Sequence, residues 1–273
     1  MPEIHHKTIL GFALFKGGTM IKETIEDGIA IITLCHGAHN SITIDTLRQI
    51  DAIVKKVNTQ VDLKGIVLTG EGRFFSSGFH LPDFFGFKSL EEVYAWFDEE
   101  EELLLNFFTS DKPVVCAMNG HSAAAGLIWA MASDYRLVVN HPKVKLGMSE
   151  IKIGLPLSVG QSEIVRYGLD SEKTYRNVMF FGDMFGVEKA LEIGMVDEIV
   201  EIDQLIARAK EIVTLWIDTP NRPFIPIKKL MKKEYVDKIR AGLNEGNWKQ
   251  GLACFLSDDV RGTLQFVHSM LPV

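Results

Sequence analysis

The sequence predicts an α/β protein, and three observations predict it. Through the first two hundred residues, short runs rich in Val, Ile and Leu alternate with longer segments whose apolar residues recur at helical spacing. The alternation is strand, helix, strand, which requires a crossover connection and a parallel sheet covered on both faces. With 273 residues and 47% hydrophobic composition, the chain can bury one large core or two modest ones.

In chain order, residues 21–34 alternate and then run apolar (IAIITL), broken by Asp27-Gly28, as a hairpin does. Residues 41–57 place Leu47, Ile50, Ile53, Val54 and Val57 on one helical face, with Thr43 or Asp45 to cap the first turn. A strand over 65–69 follows. Residues 70–80 (GEGRFFSSGFH) form a glycine-punctuated loop, too aromatic for a linker and too irregular for a strand. Residues 89–108 read as a helix whose acidic run, Asp98 to Glu102, is expected to be a solvated face. A buried strand over 112–118, a turn at 119–122 and the segment AAAGLIWAMA at 123–132 come next; a helix with no polar face must lie in the interior. A strand over 135–140 and the segment 145–155 follow. From Ser158 the chain reads mostly helical, with a helix over 187–193, a short strand at 196–200 and a helical annex beyond it.

The charge balance, 29 basic against 36 acidic residues and a net −7, supplies no surplus for a phosphate backbone, so nucleic acid is not an expected partner. Three scattered cysteines, Cys35, Cys116 and Cys254, indicate neither a disulfide framework nor a thiolate metal site and fit a reducing, cytoplasmic setting. The apolar stretch 9–15 is seven residues long, against roughly 20 for a membrane span; no membrane association is expected, and residues 1–19 read as a loosely packed leader. The histidines at 5–6 and 36–39 lack third ligands at metal spacing, so no metal is assigned.

Two chemistries fit the strand, turn and helix at 114–132. Gly120-His-Ser-Ala-Ala124 nearly matches the G-x-S-x-G nucleophile elbow, and Asp197 and His268 follow in the order serine hydrolases of α/β type use. Such a fold needs further strands that the helical tail does not supply. The second reading uses backbone amides: a buried helix opening on small residues leaves its first N–H groups unobstructed, and a glycine in Ser76-Ser-Gly-Phe79 lets a second amide approach the same ligand.

Phe75-Ser-Ser-Gly-Phe79, Pro113 to Gly126 (PVVCAMNGHSAAAG), Ser133-Asp134 and the later segments Phe181-Gly-Asp-Met, Ala190 to Glu198 and Phe255-Leu-Ser-Asp-Asp-Val resemble the enoyl-CoA hydratase/isomerase (crotonase) superfamily over about residues 20–270. The resemblance implies a spiral of β-β-α units over 20–200, a C-terminal helical segment over 201–273 used in trimer assembly, and an acyl-CoA thioester as substrate. It places oxyanion-hole amides at Phe79 and Ala125 and substrate contacts at Ser76, Ser77, Gly78, Phe79, Ala124 and Ile128. Hydratases of this family use two glutamates; the first position here is Ile128, and the second matches Glu150. A single glutamate, with Met148-Ser-Glu150, resembles the Δ3,Δ2-enoyl-CoA isomerases, particularly the plant type, and makes Glu150 the expected proton shuttle with no cofactor beyond the substrate's own coenzyme A.

Alternatives stay open: a hydratase or another enolate-forming enzyme, or a thioester-binding subunit without chemistry. Glu163 and Asp83 are candidates for a second acid, and His80 and His121 are read as structural. Coenzyme A is expected along residues 76–79, with Arg73 near its phosphates, and Phe84-Phe-Gly-Phe87 and Trp96 are candidates for an acyl pocket. The resemblance implies a homotrimer or a dimer of trimers.

Overall fold

A computed structural model describes residues 20–271. The leader assigned to residues 1–19 therefore lies outside the described residues.

The chain opens with a hairpin, β1 (Ile21–Glu26) and β2 (Ile29–Leu34), followed by α1 (Ile44–Thr59), β3 (Gly65–Gly70), β4 (Phe74–Ser76), α2 (Leu81–Gly86) and α3 (Leu90–Phe108). The middle holds β5 (Val114–Met118), β6 (His121–Ala123), α4 (Ala125–Met131), β7 (Tyr135–Val139), β8 (Leu146–Gly147) and a 3₁₀ turn at Glu150–Ile153. Next come α5 (Val159–Gly168), α6 (Glu172–Phe181), β9 (Met184–Phe185), α7 (Val187–Glu192) and β10 (Glu198–Val200). The described chain ends with α8 (Leu205–Ile217), α9 (Phe224–Glu245), a 3₁₀ segment at Asn247–Leu256 and α10 (Asp258–Met270).

The hairpin turns at Asp27 and Gly28, both with positive φ (55° and 78°), the backbone sense that matches strand twist. From β2 onward the main sheet is parallel, in the order β1-β2-β3-β5-β7-β10. Alternate residues face opposite layers. Ile32, Leu68, Cys116 and Val138 join the core under α1, α3 and α4, whereas Ile31, Val67, Val115 and Leu137 pack with Leu205, Ala209 and Val213 of α8. The cap of α1 is Thr43, whose hydroxyl accepts from Thr46 N–H at 3.1 Å while Thr46 Oγ1 accepts from Thr43 N–H at 3.2 Å. All seven residues of α4 are buried, as its lack of a polar face requires.

A second sheet, β4-β6-β8-β9, lies where the sequence indicated only loops and turns. Its strands are two or three residues long, too short to carry an alternating pattern. It joins residues 74–76 to 121–123 in parallel, Ser76 opposite Ser122, and so brings the two glycine- and alanine-rich segments side by side.

The acidic run of α3 is a solvated face only in part, with Asp98 and Glu102 exposed. Glu100 and Glu101 are buried against the start of α5: both oxygens of Glu101 accept from Gly160 N–H at 3.0 Å, and Glu100 accepts from Gln161 Nε2 at 3.0 Å. Gly160 is needed there, since a β-carbon would stand 2.2 Å from the Glu101 carboxylate. Burial pushes Glu101 up to about 7, against its backbone hydrogen bonds, and pushes Glu100 well above the usual carboxylate range, with Glu101 adding to the effect. The folded protein thus holds protons that the unfolded chain releases above its ordinary value of 4.5. This contribution to stability is greatest below that value and declines as pH rises towards 7. Urea unfolding across that window is expected to give a midpoint that falls with rising pH, and Glu101→Gln is expected to flatten the slope.

Candidate active site

One cavity of about 300 Å³ contains most of the residues singled out in the sequence. It is bordered by Ser77, Phe79, Ala124, Ala125, Ile128 and Glu150. Two expected contacts are corrected. Ser76 is fully buried and Gly78 is buried, and neither borders the cavity. Both stand behind its wall because the Ser76 hydroxyl turns inward, donating to Asn40 O at 2.8 Å and accepting from Gly78 N–H at 3.1 Å.

Glu150 begins the 3₁₀ turn after β8, closed by Gly154 in the left-handed conformation at φ 73°. Its side chain is 7% exposed, and Oε2 is buried without a hydrogen-bond partner among the described residues. Apolar Ile128, Ile153 and Leu155 share the cavity with it. Burial accordingly pushes its carboxyl up to about 7, opposed by a hydrogen bond from its own backbone. A carboxyl so placed exchanges a proton near neutral pH.

The two amide segments meet at the wall of the same cavity. Ile42 N–H donates to Gly78 O at 2.8 Å, and His80 N–H donates to Ile42 O at 2.9 Å. These bonds hold residue 79 as a one-residue strand whose own N–H has no acceptor among the described residues. Ala125 N–H is the first of α4 and likewise has none, while Ala124 N–H is used by Gly147 O at 3.0 Å. The segments touch closely: a β-carbon on Gly78, whose φ is 99°, would stand 3.2 Å from Ala125 N and 2.9 Å from Ala124 Cβ.

Ala124 pays for this turn with φ 52° and ψ −129°, a conformation that suits glycine. Ala124→Gly is expected to stabilise the protein by about 1 kcal/mol, read as a raised urea midpoint.

Other candidates separate. Glu163 pairs with Arg166 at 3.5 Å and Asp83 with His80 at 3.0 Å; neither borders the cavity. His121 borders it, but its Nδ1 accepts from Lys145 N–H at 3.2 Å and burial pushes its pKa down, which keeps the ring neutral. Arg73 O accepts from His121 N–H, so Arg73 lies at this rim. Of the aromatic candidates Phe84 borders the cavity, Phe85 and Phe87 do not, and Trp96 backs Phe79 edge-on at 4.9 Å. The sequence reading missed Phe97, Gln161, Met184, Phe255, Val267 and Leu271, which border the cavity from distant elements; Met184 and Phe255 lie in segments that carried the resemblance, but no signal placed any of the six at a site.

The serine-hydrolase reading is overturned. Ser122 is 0% exposed with its hydroxyl unpartnered, Asp197 is bound to the Arg136 side chain and backbone, and His268 lies exposed beside Phe85 on α10. Among the described residues no histidine hydrogen-bonds to Ser122, so none of them activates it. Among the described residues there is no cluster of three metal-ligating side chains and no helix long and apolar enough to cross a membrane.

Comparison with known proteins identifies the family. The mitochondrial enoyl-CoA delta isomerase 1 of Mus musculus is 27% identical over 213 residues, spanning 78% of this chain and 73% of that protein. Its Homo sapiens counterpart is 23% identical over 78% of this chain and 70% of that protein. The crystal structure of human mitochondrial Δ3-Δ2-enoyl-CoA isomerase superposes with a TM-score of 0.84 at 21% identity, covering 93% of this chain and 98% of that one, and establishes likeness of fold. A family profile described as Enoyl-CoA hydratase/isomerase matches residues 24–263. Because that profile spans most of the chain, this chain belongs to the enoyl-CoA hydratase/isomerase (crotonase) superfamily.

Proposed function

We propose that this protein is an acyl-CoA isomerase that moves a double bond from C3 to C2 of an enoyl-CoA. The observation that carries the reading is that Glu150 is the only carboxyl group among the described residues that borders the cavity, with apolar Ile128 where hydratases of the family hold a second glutamate. Hydration needs water activated and its proton placed, work for two groups, whereas migration needs a proton taken from C2 and returned at C4. Those carbons flank one atom of a planar dienolate, so one base reaches both.

In this reading the thioester oxygen accepts hydrogen bonds from Phe79 N–H and Ala125 N–H as negative charge develops on it. Glu150 removes the C2 proton and delivers it to C4, ending in its starting ionisation state. No net oxidation or reduction occurs, so the chemistry asks for no redox cofactor, and two amides replace a metal as the electrophile. Coenzyme A runs past Ser77 and His121 with Arg73 near its phosphates, and the acyl chain lies among Phe84, Phe97 and Phe255.

Product analysis with 3-enoyl-CoA, 2-enoyl-CoA and saturated acyl-CoA tests the reading. Conversion of the 3-enoyl to the 2-enoyl thioester is expected; hydration of the 2-enoyl thioester as the main reaction, or binding without turnover, refutes it. The assembly expected with this reading is a homotrimer or a dimer of trimers, which gel filtration checks. The expected compartment is the cytoplasm, whereas the mouse and human relatives are mitochondrial by name.

A further inference from the structure

We infer that Ser76 is a positioning residue that sets the direction of the Phe79 and Ala125 amides, by joining the loop that carries Phe79 to the start of the helix that carries Ala125. The inference rests on the oxyanion-hole reading above.

Ser76 ends β4, and its backbone is held in the second sheet opposite Ser122. From this fixed point the hydroxyl makes two bonds. It accepts from Gly78 N–H at 3.1 Å, two residues ahead, and donates to Asn40 O at 2.8 Å, across the fold. The first fixes the entry to a left-handed residue, Gly78, directly before the Phe79 amide. The second ties that turn to Asn40, which is 1% exposed and whose side chain clamps the approach to β4 through Glu71 O at 2.9 Å and Phe74 O at 2.7 Å.

The same side chain supports the other donor. A β-carbon on Gly126 would stand 2.7 Å from Ser76 Cβ and 3.0 Å from its Oγ, so the first turn of α4 rests directly on Ser76. Its neighbour Ala125 therefore cannot move towards β4, and the Gly78 turn closes the opposite side, 3.2 Å from Ala125 N by the same measure. One small side chain thus contacts both segments. A branched or longer one does not fit, and an apolar one of similar size leaves Gly78 N–H buried and unpaired.

Oxyanion donors act only when aimed at where the charge will be, so a small misdirection costs rate while leaving substrate binding largely intact. Ser76 touches no part of the cavity, which separates its effect from that of a substrate contact.

The test compares wild type with Ser76→Ala and with Ser76→Cys, which keeps the unbranched shape with a slightly larger sulfur that is a weaker donor and acceptor. The first measurement is the infrared stretch of the thioester carbonyl in bound, isotope-labelled hexanoyl-CoA, which reports polarisation of that oxygen without turnover. The second is steady-state isomerisation of 3-hexenoyl-CoA. Expected is a shift to lower frequency on binding to wild type that shrinks in the alanine variant and is intermediate in the cysteine variant. The kcat of Ser76→Ala is expected to fall about tenfold, with KM and the hexanoyl-CoA dissociation constant changed less than about twofold. A wild-type carbonyl shift retained in the alanine variant overturns the positioning role, as does a loss expressed in KM alone. If wild type polarises the carbonyl but does not isomerise, the infrared comparison still decides the role of Ser76. If wild type shows no shift, the oxyanion hole and the positioning role fall together.

Discussion

Glu150→Gln is expected to lower kcat for isomerisation by about 10³-fold or more while leaving the fold and acyl-CoA binding intact. The amide is close in size to the carboxyl it replaces and cannot accept and return a proton. Because Oε2 of Glu150 has no partner among the described residues, the substitution breaks no side-chain network, and the thermal midpoint is expected to be unchanged or slightly raised as a costly buried acid is removed. The wild-type pH profile carries the same information. With the carboxyl pushed up to about 7, its basic form dominates only above that value, so kcat/KM for a 3-enoyl-CoA should decline as pH falls through neutrality. A profile that stays flat down to pH 5, or a glutamine variant with substantial turnover, removes Glu150 from the chemistry.

Gly78→Ala is expected to be nearly as damaging, by a different route. Its φ of 99° disfavours any side chain, and the added methyl would stand 3.2 Å from Ala125 N and 2.9 Å from Ala124 Cβ. Room is made only by moving one amide segment away from the other. Losing one oxyanion donor typically costs about 10²–10³ in rate, and that is the expected loss in kcat. Stability should fall as well, by about 1–3 kcal/mol for a strained residue. The discriminating measurement is the carbonyl stretch of bound hexanoyl-CoA, which is expected to lose most of its shift. Full activity in Gly78→Ala shows that the two segments do not act together.

These two substitutions differ in how far the sequence alone foretells them. Gly78 lies in a motif, and its need for a left-handed backbone follows from local chemistry, as does the turn at Asp27 and Gly28. The parallel sheet, the buried character of α4 and the helix over residues 44–59 were legible for the same reason: period and composition within one segment report which faces it hides. The resemblance to a family was legible because several motifs fall in order along the chain. The acidic run of α3 was misread by that logic. Within its own segment Glu100 and Glu101 look like solvated charge, and only Gly160 and Gln161, about sixty residues away, make their burial tolerable. The second sheet escaped because strands of two or three residues have no period to read.

What the sequence determined by itself, then, was the kind of fold, which follows from local pattern, whereas Glu150 and the amides of Phe79 and Ala125 were named only through the resemblance to a family. Tertiary structure alone decided their surroundings. It closed apolar residues from distant elements over Glu150, raising the affinity of that carboxyl for a proton. It denied Ser122 a base, and it turned Ser76 away from the cavity to support the wall behind it. A pKa or the direction of an N–H depends on what lies within a few ångströms in space, and those neighbours come from every part of the chain.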